Sequence, residues 1–145
     1  APYSLLRSVR DGLHLAGLSQ YSPHLGIEIE DMELDGYSKE TFLLEKGVKT
    51  TGKGVARAKF PFPTGVYDII ISYADEKAGQ GIIDLTVGGK KRGSLKLTED
   101  VECWRRKTIP KIKIRNGDEI SLTGTANGAE TARIEYIEFV KSEAN

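Results

Sequence analysis

The feature that most constrains this chain is its punctuation. From about residue 26 onward, short alternating or β-branched runs recur, each closed by turn-forming residues, with no helical periodicity between them. The runs predict strands over Gly26 to Glu30, Ala56 to Phe60, Val66 to Tyr73, Gly81 to Val87, Lys90 to Leu97, Lys107 to Ile114, Asp118 to Gly124 and Ala132 to Lys141. Pro63-Thr64-Gly65 and Asn116-Gly117-Asp118 mark turns, and Gly88-Gly89 joins two runs at hairpin spacing. With 16 glycines in the chain, this pattern predicts an all-β sandwich or barrel of mostly antiparallel order, not an α/β sheet.

Only the opening departs from this pattern. Leu5, Leu6, Val9, Leu13 and Leu18 fall near a 3.6-residue period, which predicts a short N-terminal helical segment over Ser4 to Leu18. We therefore expect residues 1–25 to be a helical segment or the remnant of a preceding domain, and residues 26–141 to be the β domain. A chain of 145 residues can build one core without a staple. No apolar run is long enough to span a membrane, and the N-terminus lacks the regions of a signal peptide, so the chain reads as a soluble, excised piece. Lysine plus arginine equals aspartate plus glutamate at 21 each, which argues against nucleic acid or an anionic membrane as the main partner. The lone Cys103 permits no internal disulfide and is expected to be a structural thiol.

Catalysis has little support. His14 and His24 both precede or border the β region, so no Ser/His/Asp or metal-histidine constellation lies within it. A glycosidase-like carboxylate pair could always be nominated among so many acidic residues. The more specific feature is Glu28-Ile29-Glu30-Asp31: strand periodicity would point Glu28 and Glu30 the same way, about 7 Å apart. They are either a solvated strand face or, with Glu135 of the final strand, ligands for a hard cation such as calcium.

Four motifs carry a resemblance. Ile27-Glu28-Ile29-Glu30-Asp31, the run from Phe62 to Ala74, Trp104-Arg105-Arg106-Lys107-Thr108, and the closing run from Ala132 to Phe139 resemble the galactose-binding-like carbohydrate-binding modules of families 6 and 35. The resemblance spans about Gly26 to Val140. It implies a jelly-roll β-sandwich of two antiparallel sheets, with a structural calcium and a sugar site in the loops at one end. Glu28, Glu30 and Glu135 match the metal-holding acidic positions, although aspartate is usual at the last. The matching sugar contacts are Tyr37, Trp104 and Asn127. A pyranose needs an aromatic plane for its C–H face and fixed polar partners for its hydroxyls. Each candidate also has a simpler role. Tyr37 could fold onto the core, Trp104 could be core packing, and Asn127-Gly128 is a strong turn former. Arg57 lies near a predicted strand end, where solvated charge is the default, yet an arginine in the site would suit a uronic acid.

The resulting expectation is a non-catalytic module, monomeric when isolated and secreted or at the cell surface. It would bind polysaccharide or oligosaccharide and keep a catalytic domain of the same parent chain near it. The alternative is a structural or protein-interaction sandwich that packs on a catalytic domain and binds no glycan.

Overall fold

The computed structural model of the chain describes residues 24–42, 45–75, 81–97, 103–126 and 132–142. The expected helix over Ser4 to Leu18 and the candidate Asn127 lie outside them. Among the described residues the strands in chain order are β1 (His24–Glu28), β2 (Glu33–Asp35), β3 (Ser38–Phe42), β4 (Glu45–Lys49), β5 (Lys53–Lys59), β6 (Gly65–Asp75), β7 (Gly81–Val87), β8 (Lys90–Leu97), β9 (Cys103–Ile114), β10 (Glu119–Thr125) and β11 (Arg133–Lys141). Every pairing is antiparallel. One six-stranded sheet has the order β3-β4-β11-β6-β9, with β1 also pairing β11, and the five-stranded sheet has the order β2-β5-β10-β7-β8. The turn spacing left a sandwich or a barrel open, and the fold observed is the all-β sandwich of two antiparallel sheets that the resemblance implies.

The core follows from strand alternation. Tyr67, Ile69, Ile71 and Tyr73 of β6 and Ile83, Leu85 and Val87 of β7 bury alternate side chains in one hydrophobic cluster shared by both sheets. Each such burial stabilises the fold by roughly 1.5–3 kcal/mol. β11 differs, because Ile134 through Phe139 are all buried, as suits a strand in the middle of its sheet.

Three local outcomes depart from expectation. The first strand ends at Glu28, and Ile29–Asp31 form a single 3-10 turn, with the Met32 N–H donating to the Ile29 carbonyl at 3.0 Å. Fully buried Ile29 anchors the point where the chain leaves one sheet for the other. Secondly, β2, β3 and β4 were not anticipated. Their sequences (Glu33–Asp35, Ser38–Phe42, Glu45–Lys49) are short and charged, and β2 and β3 are sheet edges where little alternation is required. Thirdly, β9 begins four residues earlier than expected, at Cys103, and accommodates Pro110. It is an edge strand with a bulge: Ile109 opposes Ile69 and Ile112 opposes Tyr67, so Pro110 and Lys111 stand against Asp68 alone. Lys111 takes the left-handed conformation (φ 55°), and its N–H donates to Asp68 Oδ1 at 3.0 Å.

The register defines two ends. Asp75 lies opposite Cys103, Gly81 opposite Leu97, and Thr125 opposite Lys53, so the β6–β7, β8–β9 and β10–β11 connections between sheets gather at one end, the crossover end. The β5–β6 and β9–β10 connections pass between sheets at the opposite end, beside the β7–β8 hairpin. There the turns are tied together. The Phe60 N–H donates to the Asp118 carbonyl at 2.8 Å, the Gly117 N–H to the Phe60 carbonyl at 2.8 Å, and the Gly88 N–H to the Glu119 carbonyl at 2.9 Å.

Candidate functional site

Trp104 is the second residue of β9 and pairs with Ala74, which pairs in turn with Arg133 of β11. Its neighbour in the strand, Arg105, opposes the core residue Tyr73, so alternation puts Trp104 on the outer face of the six-stranded sheet, near the crossover end. The ring is half-buried. Its Cη2 would stand 3.2 Å from a Cβ at position 47, so Gly47 of β4 leaves the space the indole occupies.

Around the indole the outer face is polar and ordered. Glu40 of β3 accepts from Arg133 Nε and lies 3.6 Å from Lys49 Nζ; the Arg133 and Glu40 side chains are only 12 % and 14 % exposed. Further along the face, Arg106 Nη2 donates to Glu138 Oε1 at 2.7 Å. The Glu138 side chain is 1 % exposed, against 43 % for Arg106, so this is a buried carboxylate held by a guanidinium that reaches solvent. Glu135 is the extra residue of a bulge between Ile134 and Tyr136, and its Oε1 accepts from the Ser72 hydroxyl at 2.8 Å. Arg133 and Glu40 were not singled out in the sequence, because nothing local marks a β3 residue as the partner of one 93 positions away.

The candidate residues do not form one cluster. Of the two roles open to Tyr37, stacking platform or residue folded onto the core, the structure shows the second: it is a core residue with 9 % exposure. Its ring lies over Gly54, where a Cβ would come within 2.8 Å of Cγ, and its hydroxyl abuts Gly124. Gly54 and Gly124 are cross-strand partners in β5 and β10, so together they form the slot that the tyrosine fills. Burial raises the hydroxyl above the ordinary tyrosine pKa, and a ring covered in this way offers no face to a sugar. Arg57 is half-buried on β5, opposite Glu33 and Ser121. Its neighbour Ala56 is in the core, so Arg57 projects from the outer face of the five-stranded sheet, on the opposite side of the sandwich from Trp104.

The proposed metal set does not fit a cation as a unit. Glu28 ends β1, Glu30 has left the strand in the 3-10 turn, and Glu135 is fully buried on the Ser72 hydroxyl. The shared strand face that would have aligned Glu28 with Glu30 ends between them. Among the described residues no group of three or more His, Cys, Asp or Glu side chains is placed to hold a metal ion. No helix among these residues is long and apolar enough to cross a membrane.

No protein-family model matches the chain. Its sequence is 35% identical over 135 residues to a probable alpha-glucuronidase A of Aspergillus niger, covering 77% of this chain and 16% of that protein. It is 30% identical over 153 aligned positions to an alpha-glucuronidase of Hypocrea jecorina, covering 93% of this chain and 18% of that protein. The chain thus spans under a fifth of these relatives' length. Among solved structures it superposes on a family 36 carbohydrate-binding module in complex with calcium and xylotriose (TM-score 0.62, 22% identity, 79% of this chain and 98% of that one). It also superposes on a family 35 module from Clostridium thermocellum (0.63, 16%, 83% and 100%). A third match is a family 6 module from Clostridium stercorarium in complex with cellobiose (0.65, 13%, 81% and 94%). Both the two-sheet architecture and the extent of these superpositions give this chain the fold of the carbohydrate-binding modules of families 6, 35 and 36.

Proposed function

We propose that this domain is a non-catalytic carbohydrate-binding module that holds an alpha-glucuronidase near glucuronate-bearing polysaccharide outside the cell. The observation that carries the reading is Trp104, a half-exposed indole on the outer sheet face near the crossover end, flanked by the Arg133–Glu40 pair. An apolar plane beside fixed charged donors and acceptors is what a pyranose requires. Asn127, which lies between β10 and β11 in sequence, would supply a hydroxyl partner. The fold supports the reading because the family 36 and family 6 structures hold xylotriose and cellobiose. The relatives' names support the choice of parent enzyme. Calcium enters only through the family 36 complex, so binding is to be measured with and without it.

The experiment is a titration of the chain with xylan carrying glucuronate side groups and with unsubstituted xylan, with melting curves on the same samples. Binding in the micromolar to millimolar range is expected, weakened roughly tenfold or more by Trp104→Ala in a protein that still melts cooperatively. Trp104→Phe should retain part of the affinity. A folded Trp104→Ala variant that binds normally would remove the site, and a wild-type chain that binds no polysaccharide would favour the structural sandwich packed on its catalytic domain.

A further inference from the structure

β8 and β9 form the free edges of the two sheets on one side of the sandwich. Their sequences, Lys90–Leu97 and Cys103–Ile114, contain no carboxylate. Near the hairpin end the seam between them opens into a pocket of about 240 Å³ lined by Lys90, Arg92, Lys113, Arg115 and Asp118 together with the Val87-Gly88 turn. That volume, small for a ligand pocket, suits a single sugar residue.

The two cations of β8 are directed there by backbone geometry. Lys90 pairs with the core residue Val87, so its side chain leaves the inner side of β8. Arg92 is the extra residue of a bulge, since Gly93 opposes Leu85 and Lys91 opposes Thr86. Bulges re-aim side chains, and this one sends a guanidinium to the seam. The Val87-Gly88 turn is rigid. Gly88 and Gly89 both have positive φ (57° and 84°), giving the tight turn that their sequence predicts, and the Gly88 N–H is fixed on Glu119. The Arg115 N–H donates to Asp118 Oδ2 at 2.9 Å, closing the facing turn. Among the described residues, Lys90, Arg92, Lys113 and Arg115 form no ion pair.

Lysines on an edge strand also discourage sheet-to-sheet aggregation. That role suits Lys91, which faces out and lies 3.4 Å from Asp84, but it does not require four cations to share a pocket. We infer that this pocket is a second glycan-binding site, separate from the Trp104 face, that takes the carboxylate of a uronate sugar. Two guanidinium forks and two ammonium groups recognise the anion. Asp118 sets the ligand class: its charge disfavours a dense polyanion such as polyphosphate or a sulfated chain, while its free oxygen can accept from sugar hydroxyls. The inference rests on the glycan-binding reading above and adds the charged subsite to it.

The test compares xylan carrying glucuronate side groups with the same polymer after its carboxyls are reduced to alcohols, at low and at physiological salt. The wild-type chain should bind the charged polymer roughly tenfold more tightly at low salt, and the difference should shrink as salt rises. Arg92→Ala with Arg115→Ala should abolish that difference while leaving affinity for the reduced polymer and the melting temperature unchanged. Lys91→Ala with Lys96→Ala, outside the pocket, should preserve it. The site is overturned if the Arg92 and Arg115 variant keeps the difference, if the Lys91 and Lys96 variant loses as much, or if polyphosphate or heparin binds more tightly than the uronate polymer. A wild-type chain that binds both polymers alike overturns this site alone, whereas one that binds neither overturns the glycan-binding reading with it.

Discussion

The two sides of the sandwich where sheets end differ in charge and in closure. On one side, the 3-10 turn and β2 bring Glu30, Asp31, Glu33 and Asp35, and the chain is sealed by Tyr37 in its glycine slot. On the other, β8 and β9 carry only basic charge, each has a bulge, and a pocket opens between them. A balance of 21 against 21 describes the distant field, not this local segregation. The packed side bears stability, and the open side is free to meet a ligand.

Substitutions on the two sides should therefore differ in cost. Tyr37→Ala empties the slot over Gly54 and Gly124 and should cost about 3 to 5 kcal/mol in chemical denaturation. A loss below about 1 kcal/mol would mean that the slot collapses freely and that this side is not the packed one. Arg106→Ala lies between the extremes. It deprives the buried Glu138 of its guanidinium, but the arginine is 43 % exposed and solvent screens part of the interaction. A loss of about 1 to 2 kcal/mol is expected, smaller for the double variant with Glu138→Gln, which leaves no buried charge to hold. The smallest effect belongs to the open side: Lys91→Ala breaks an exposed pair with Asp84 and should change stability by less than about 0.5 kcal/mol. A cost there approaching that of Tyr37→Ala would break the comparison.

The strands most legible in the sequence are β7 and β8, observed with the limits expected for them, because Gly88-Gly89 and the alternation of Ile83, Leu85 and Val87 are signals contained in a few residues. The all-β architecture was legible for the same reason. The β3–β4 hairpin was not, since an edge hairpin can be charged and still pair through its backbone.

The candidate site was less legible than the fold. Trp104 could be nominated from a motif, but its placement over Ala74 and beside Gly47 depends on strands that come together only in the sheet. Glu28 and Glu30 share a face only if the strand continues, and the core's demand for Ile29 ended it between them. Tyr37 sits in a sequence context typical of an exposed loop, yet the slot that buries it is made by glycines at positions 54 and 124. Lys90 and Arg92 likewise meet Lys113 and Arg115 only because the two sheets leave their edges side by side. Turns and alternation are set by neighbours along the chain, so the sequence determined them. Which distant side chains face one another depends on register, bulges and the packing of one sheet on the other, and only the tertiary structure decided that.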